Sequence, residues 1–323
     1  MKFSDIIQPI DIPLQTFRKE LARALDSDIP VLNEVFNHMQ VSQGKQIRPI
    51  LILLAAEICG KITPKTYRSA VLTEMLHSAT LLHDDVVDQA EYRRHQLSVN
   101  AKWNNKIAIL VGDYLFAETL KTAVKHSDYE LLELMNEAIR KVSEGELIQM
   151  QNVANTAISE DIYNDIISKK TASLFAAACA CGAFSADAGK DEVSTFHQIG
   201  WHLGMAFQIK DDLLDILPNA ETGKSKGNDI REQKLTLPLI HFLKTALETN
   251  QNMALDIILN QYHNAESIQD LSQQLLSSES LMYTESKIIE HLDKAALLLN
   301  PFPTGTGKTT FENMMKFIAN RNH

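Results

Sequence analysis

Cysteine, proline and glycine are all scarce in this 323-residue sequence, and each scarcity excludes something. Three cysteines (Cys59, Cys179 and Cys181) are too few and odd in number for a disulfide framework, and they fit a reducing compartment. Cys179 and Cys181 lie in an apolar, Ala-rich stretch with no Cys or His at ligand spacing to complete a tetrahedral site. Core packing is the expectation for them. None of the nine prolines falls between Lys65 and Leu217. Proline costs ~3 kcal/mol inside a helix, so so long a proline-free stretch suits a series of helices. Val/Ile/Thr alternation closed by turn pairs, the mark of strands, is weak throughout. There is no run of ~20 apolar residues to span a membrane. Residues 1–18 carry no basic region followed by a long apolar run, so no secretory signal is expected. The expectation is a soluble, cytoplasmic protein. Positive charge is also in deficit, with a formal net charge of −10. A general nucleic-acid binder needs a basic surface, so that class is set aside. A small phosphorylated ligand is not excluded, because a few cations can gather locally and metal ions can supply the rest.

What is present is apolar residues, at 45% of the chain, enough for a large core. They recur with helical spacing. Leu72, Met75, Leu76, Ala79, Leu82, Val86 and Val87 step mostly in threes and fours, as do Leu131, Leu132, Met135, Ala138, Ile139 and Val142. Segments 163–184, 196–217 and 236–247 also read as helices. No solenoid repeat is detectable. The sequence predicts a single all-α domain over residues 1–323.

The chemistry sits in two acidic motifs. In His83-Asp84-Asp85-Val86-Val87-Asp88, a helix puts Asp84 and Asp88 one turn apart on one face, with Asp85 to the side. Like charges at that spacing cost a helix ~0.2–0.5 kcal/mol, so local stability does not explain them. A hard cation does, since Mg²⁺ takes oxygen ligands and shares them between carboxylates and a substrate phosphate. One such motif could be a solvated surface patch. A second, Gln208-Ile209-Lys210-Asp211-Asp212-Leu213-Leu214-Asp215, repeats the spacing on another predicted helix, and two facing clusters could clamp one diphosphate. Cations accompany them: Lys45 and Arg48 in Gly44-Lys45-Gln46-Ile47-Arg48-Pro49, Arg93 and Arg94 after the first motif, and Lys170-Thr171 opening an apolar run. Lys224 and, in Lys234-Leu235-Thr236-Leu237-Pro238, Lys234 complete the set. Arg suits bidentate phosphate contacts and Lys acts as a point charge.

With these motifs in this order, the sequence resembles the trans-isoprenyl diphosphate synthases, in their polyprenyl (octaprenyl-type) branch, from about Gly44 to Pro238 with weaker echoes to Arg321. The resemblance implies the single-domain isoprenoid synthase fold, with helices around a central apolar cavity. It implies that Asp84, Asp85 and Asp88 form a first Mg²⁺ cluster and Asp211, Asp212 and Asp215 a second, with three Mg²⁺ per active site. It assigns Lys45, Arg48, His77 and Arg94 to isopentenyl diphosphate. It assigns Arg93, Lys170, Thr171, Gln208, Lys224 and Lys234 to an allylic diphosphate such as farnesyl diphosphate, and counts Lys170 with the catalytic set. His95 and Gln233 stand where the family usually has glycine, which is preferred where φ is positive.

The implied reaction is a prenyl transfer. The allylic diphosphate ionises, with metal and fixed cations stabilising the leaving group. The double bond of isopentenyl diphosphate attacks the cation, and a proton leaves. No side-chain nucleophile is needed, and none of the usual triads is present. An apolar cavity protects the cation from water. Ala79, five before Asp84, stands where a bulky aromatic makes a short-product floor in the family, so an open path and a long, octaprenyl-like product for quinone side chains are expected. A homodimer is implied by analogy, with at most transient membrane contact. The rivals are a short-chain farnesyl or geranylgeranyl diphosphate synthase, a terpene cyclase, which needs no second diphosphate site, and a non-catalytic subunit of a heteromeric synthase. Gly305-Thr306-Gly307-Lys308-Thr309-Thr310 imitates the end of a phosphate-binding loop, but Phe302 occupies the position where that loop needs glycine. A loop leading into a C-terminal helix through Phe311, Met314, Met315 and Ile318 is expected instead.

Overall fold

A computed structural model describes residues 2–41, 44–94, 96–217 and 227–321. Among these residues the protein is all-α apart from one two-stranded hairpin. The helices run α1 (Phe3–Ile7), α2 (Asp11–Ala24), α3 (Pro30–Val41), α4 (Ile47–Cys59), α5 (Pro64–Val87), α6 (Val99–Lys102), α7 (Asn105–Lys125), α8 (Tyr129–Gln151) and α9 (Glu160–Ile167). They continue through α10 (Ser173–Ser185), α11 (Lys190–Ile216), α12 (Asn228–Arg231), α13 (Leu237–Thr245), α14 (Glu248–Asn260), α15 (Ala265–Ser277), α16 (Glu279–Leu299) and α17 (Thr306–Asn320). The hairpin pairs β1 (Tyr92–Arg93) with β2 (Gln96–Leu97). No helix among the described residues is long and apolar enough to cross a membrane.

Proline marks where helices begin. Pro64 opens α5, and the Thr63 hydroxyl ahead of it accepts from the Thr66 amide. Pro30 opens α3, and Pro238 lies in the first turn of α13. At these positions proline loses no intrahelical bond and its fixed φ is already helical. The glycine-rich imitation of a phosphate loop is the start of α17, where the Lys308 ammonium donates to the Phe302 carbonyl at 2.9 Å.

Contacts divide the chain into two compact units. The first comprises Met1–Ile139, Ala177–His197 and Pro301–Asn313. Its centre is α4, whose residues from Ile50 to Ala56 are all fully buried, as expected of a helix apolar all round. α5 packs on α2, α4 and α7. A cluster of Leu72, Leu76, Ala123, Leu131, Met135 and Cys181 fills the space beside it. Cys179 and Cys181 are buried and unbridged, and burial pushes the Cys181 thiol up to about 12. That is the packing role expected of them.

The second unit comprises Arg140–Ala176, Gln198–Asn300 and Met314–His323. Here segment 163–184 differs from the continuous helix its sequence predicts. Ser168–Ala172 forms a π turn between α9 and α10, closed by the Ser173 amide bonding the Ser168 carbonyl five residues back. Side chains hold this turn in place. The Trp201 indole donates to the Ser168 hydroxyl at 2.8 Å, and the Ser173 hydroxyl donates to the Lys169 carbonyl at 2.6 Å. Close approach by α11 needs glycine. A Cβ at Gly204 would lie 2.4 Å from Ala172 Cα, and one at Gly200 would lie 2.4 Å from the Phe175 carbonyl oxygen.

Gly204→Ala therefore sets helix propensity against overpacking. Alanine gains about 1 kcal/mol in a helix interior, whereas forcing atoms into a packed contact costs about 1–3 kcal/mol. Here the neighbour is backbone, so a net loss is expected, read as a lower denaturation midpoint. A midpoint at or above wild type would contradict the close approach.

Candidate active site

In the first unit, α5 carries the first acidic motif at its C-terminal end. The helix closes at Asp88, whose amide bonds the Asp84 carbonyl at 2.8 Å, and Gln89 follows with φ of 50°. Asp84 is half-buried and Asp88 exposed. Asp85, expected to project to the side, is the buried one. Arg93 from β1 grips it: Nε lies 2.7 and 2.8 Å from the two carboxylate oxygens, and Nη2 lies 2.5 Å from Oδ1. The short hairpin carries this guanidinium, and Arg94 beyond Arg93 adopts φ of 52°. His95 lies outside the described residues.

One turn or more back along α5 stands a cationic pocket of about 90 Å³, lined by His77, Ser78, Asp85, Arg93 and Arg94 with apolar Met75 and Leu82. Arg48 meets His77 with Nη1 2.9 Å from Nε2. Burial, together with Arg48, Arg94 and Arg93, holds the His77 imidazole well below its usual range, so it is neutral at physiological pH. Glu74, three residues before His77, also lines the pocket; burial raises its carboxyl while Arg48 and Arg94 pull it down. Burial lowers Arg94, Arg93 adds to that, and Glu74 and Asp85 oppose it. Three of the four residues assigned to isopentenyl diphosphate are thus together. The fourth, Lys45, lies on the segment entering α4, where Gln46 has φ of 53° and accepts from Arg18 at 2.9 Å. Ala79 is fully buried on α5 and does not line this pocket.

In the second unit, α11 carries the second motif. Thr171 donates to Gln208 Oε1 at 2.6 Å, Gln208 donates to Asp212 Oδ1 at 2.8 Å, and Tyr163 donates to Asp212 Oδ2 at 2.6 Å. Burial pushes the Asp212 carboxyl up to about 6, the charges of Asp211 and Asp215 add to that, and the Tyr163 and Gln208 hydrogen bonds oppose it. Asp215 takes the backbone amides of Asn228 and Asp229 at 3.1 and 3.0 Å, capping the short α12. Asp211 is half-exposed and pairs with Arg321 at 2.7 Å. Lys170, within the π turn, is bonded to Glu146 and reaches Gln149 at 3.5 Å. The Lys234 ammonium pairs with Glu232. Gln233 has the positive φ, 52°, for which glycine is preferred, and its side chain donates to the Ile258 carbonyl at 3.0 Å. The left-handed turn is therefore kept without glycine. Lys224 lies outside the described residues.

Sequence reasoning missed Glu74, Tyr163, Glu146 and the role of Arg321. Only Glu74 had a local signal, one turn before His77 on the same helix face. The others meet their partners across 24 to 110 residues of chain, which no local spacing reveals.

The donor set suits a divalent metal. All six motif side chains offer oxygen, the ligand of hard cations. No three His, Cys, Asp or Glu side chains among the described residues form a preformed metal cage. Mg²⁺ does not require one, because it keeps waters and takes one or two carboxylates with substrate phosphates.

The polyprenyl synthetase family profile matches residues 29–275. Octaprenyl diphosphate synthase of Escherichia coli is 34% identical over 280 residues, 86% of either chain. Heptaprenyl diphosphate synthase component 2 of Bacillus subtilis is 30% identical over 99% of this chain and 91% of its own. A polyprenyl synthase from Caulobacter crescentus, solved in complex with calcium and isoprenyl diphosphate, superposes with a TM-score of 0.93 at 29% identity, covering 100% of this chain and 98% of that one. The names of further relatives run from geranylgeranyl diphosphate synthase in Saccharolobus solfataricus to decaprenyl diphosphate synthase in Rhodobacter capsulatus.

The raised Asp212 carboxyl has a consequence for stability. Folding increases its proton affinity, so its contribution is fully present below the unfolded value near 4 and is lost as pH rises through about 6. Asp212→Asn removes that loss. In EDTA the variant should gain stability relative to wild type between pH 5 and pH 7, by on the order of 1 kcal/mol at neutrality. Thermal denaturation across that range checks it. A difference between the two proteins that does not grow with pH would contradict the assignment.

Proposed function

The chain belongs to the polyprenyl synthetase family and is a prenyltransferase, and we propose that it condenses isopentenyl diphosphate head to tail with an allylic diphosphate to build a long all-trans polyprenyl diphosphate. The observation that carries this reading is the cationic pocket beside α5. Arg48, His77 and Arg94 supply donors for a diphosphate that no metal need hold, the feature a terpene cyclase lacks a use for. His77 stays neutral there, so it receives Arg48's hydrogen bond rather than repelling it.

Mg²⁺, three per active site in this proposal, supplies Lewis-acid stabilisation of the departing diphosphate. Asp84, Asp88, Asp211, Asp212 and Asp215 are its ligand candidates, and Asp85 contributes while also anchoring Arg93. Lys170, Thr171, Gln208, Lys224 and Lys234, with Arg93, bind the allylic diphosphate. Lys170 and Lys234 now face Glu146 and Glu232, so each exchanges a protein carboxylate for phosphate oxygen when substrate enters. The Tyr163 and Gln208 hydrogen bonds favour ionised Asp212, the form a metal requires.

Two finer points belong to the same proposal. The product is octaprenyl-like, because fully buried Ala79 offers no aromatic floor near the first motif. The enzyme works in the cytoplasm and as a homodimer, the dimer being supported by Leu110, Leu120 and Val124 of α7, apolar side chains left in solvent by the single chain.

Incorporation of radiolabelled isopentenyl diphosphate by purified protein with Mg²⁺ and farnesyl diphosphate tests the reaction. A long polyprenol is expected after dephosphorylation. EDTA should abolish it, and Asp84→Ala should lower turnover about 100-fold or more. No incorporation by the folded chain with any allylic starter would instead favour a subunit that needs a partner, as the word component in its Bacillus relative's name suggests. Ala79→Tyr should shift products toward farnesyl or geranylgeranyl diphosphate. An unchanged chain-length distribution would remove Ala79 as the gate.

A further inference from the structure

We propose that Arg321 is a positioning residue for the metal-binding carboxylate of Asp211, so that the residue following α17 tunes divalent-metal affinity. The inference rests on the prenyltransferase reading of the second acidic motif.

Arg321 follows the last residue of α17 and is only 7% exposed. Its guanidinium lies over the Phe207 ring, 3.8 Å from the centroid. Nη2 donates to the Phe207 carbonyl at 2.7 Å and lies 2.7 Å from Asp211 Oδ1. Phe207 and Asp211 are one turn apart on α11, so one planar cation bridges a backbone carbonyl and the first carboxylate of the motif. Folding stability does not require this. Asp211 is half-exposed, so its carboxylate stays in contact with water and the pair adds little to folding stability. Arg321 Nε is moreover buried with no hydrogen-bond partner among the described residues, a further cost. What the arrangement provides is local to the motif.

The contact involves Oδ1, and a carboxylate has a second oxygen with its own lone pairs. Arg321 can therefore fix the Asp211 carboxylate while Oδ2 serves a cation. It also offsets the repulsion between Asp211 and Asp212, the neighbour whose carboxyl that repulsion helps to raise. Groups that orient a metal ligand from behind commonly carry about 10–100-fold of metal affinity. Lysine cannot replace this one fully, because a point charge lacks the flat face that covers Phe207.

The test compares Arg321→Met, which keeps apolar cover on Phe207, with Arg321→Lys and Asp211→Asn. Mn²⁺ binding is counted by electron paramagnetic resonance with inorganic diphosphate present, and Mg²⁺ activation is measured in the incorporation assay. Arg321→Met should weaken Mn²⁺ binding about 10-fold and raise the half-activating Mg²⁺ similarly. The KM for isopentenyl diphosphate and the melting temperature should stay unchanged. Arg321→Lys should fall between, and Arg321→Met should add nothing to Asp211→Asn. Wild-type Mn²⁺ binding in Arg321→Met, or losses that simply add in the double variant, would overturn the proposal. Should Arg321→Met fail to fold, Arg321→Lys with wild-type Mn²⁺ binding overturns it equally. Absent Mg²⁺-dependent incorporation by the wild type would sink the functional reading alone, since the Mn²⁺ count still decides whether Arg321 acts through Asp211.

Discussion

A carboxylate withdrawn from water must be given donors, and much of the candidate site follows from how this protein meets that demand. Asp85 receives a guanidinium, Asp212 a phenol and an amide, and Asp215 two backbone amides, while half-exposed Asp211 takes a second guanidinium. Each solution recruits a different element. The hairpin after α5 delivers Arg93, the π turn and α9 align Thr171 and Tyr163, and α12 begins where Asp215 can cap it. Secondary structure around the acidic motifs is in this sense a set of donors arranged for charge.

The cationic side follows the same logic with the sign reversed. Burial keeps the His77 imidazole neutral, and the nearby charges of Arg48, Arg94 and Arg93 push it the same way. Glu74 partly offsets them from within the pocket. A pocket assembled in this way is short of negative charge.

Much of this was legible in the sequence. The apolar period of α5 and the proline-free stretch gave the helical fold, and the motifs with the family resemblance named Arg48, His77, Arg93 and Arg94, which the structure brings together around one pocket. The glycine-like backbone at Gln233 could also be anticipated, from the residue the family prefers there. What escaped is what depends on distant chain. Tyr163 and Asp212, or Arg321 and Asp211, are joined only by folding, and a π turn leaves no trace in a hydrophobic period that the flanking residues continue. Asp85 shows the limit even locally: its spacing gives a helix face, but not which face is covered.

The π turn has one more consequence. Inserting a residue into a helix advances the phase of everything downstream by the angle of one residue. Most amphipathic helices would lose register, because their polar side would rotate inward. α10 does not, since from Leu174 to Ala183 nearly every residue is equally buried and the helix has no polar side to misplace. A helix without a preferred azimuth tolerates such an insertion readily. Its uniform apolarity is thus what leaves the preceding turn at liberty to set the directions of Lys170 and Thr171.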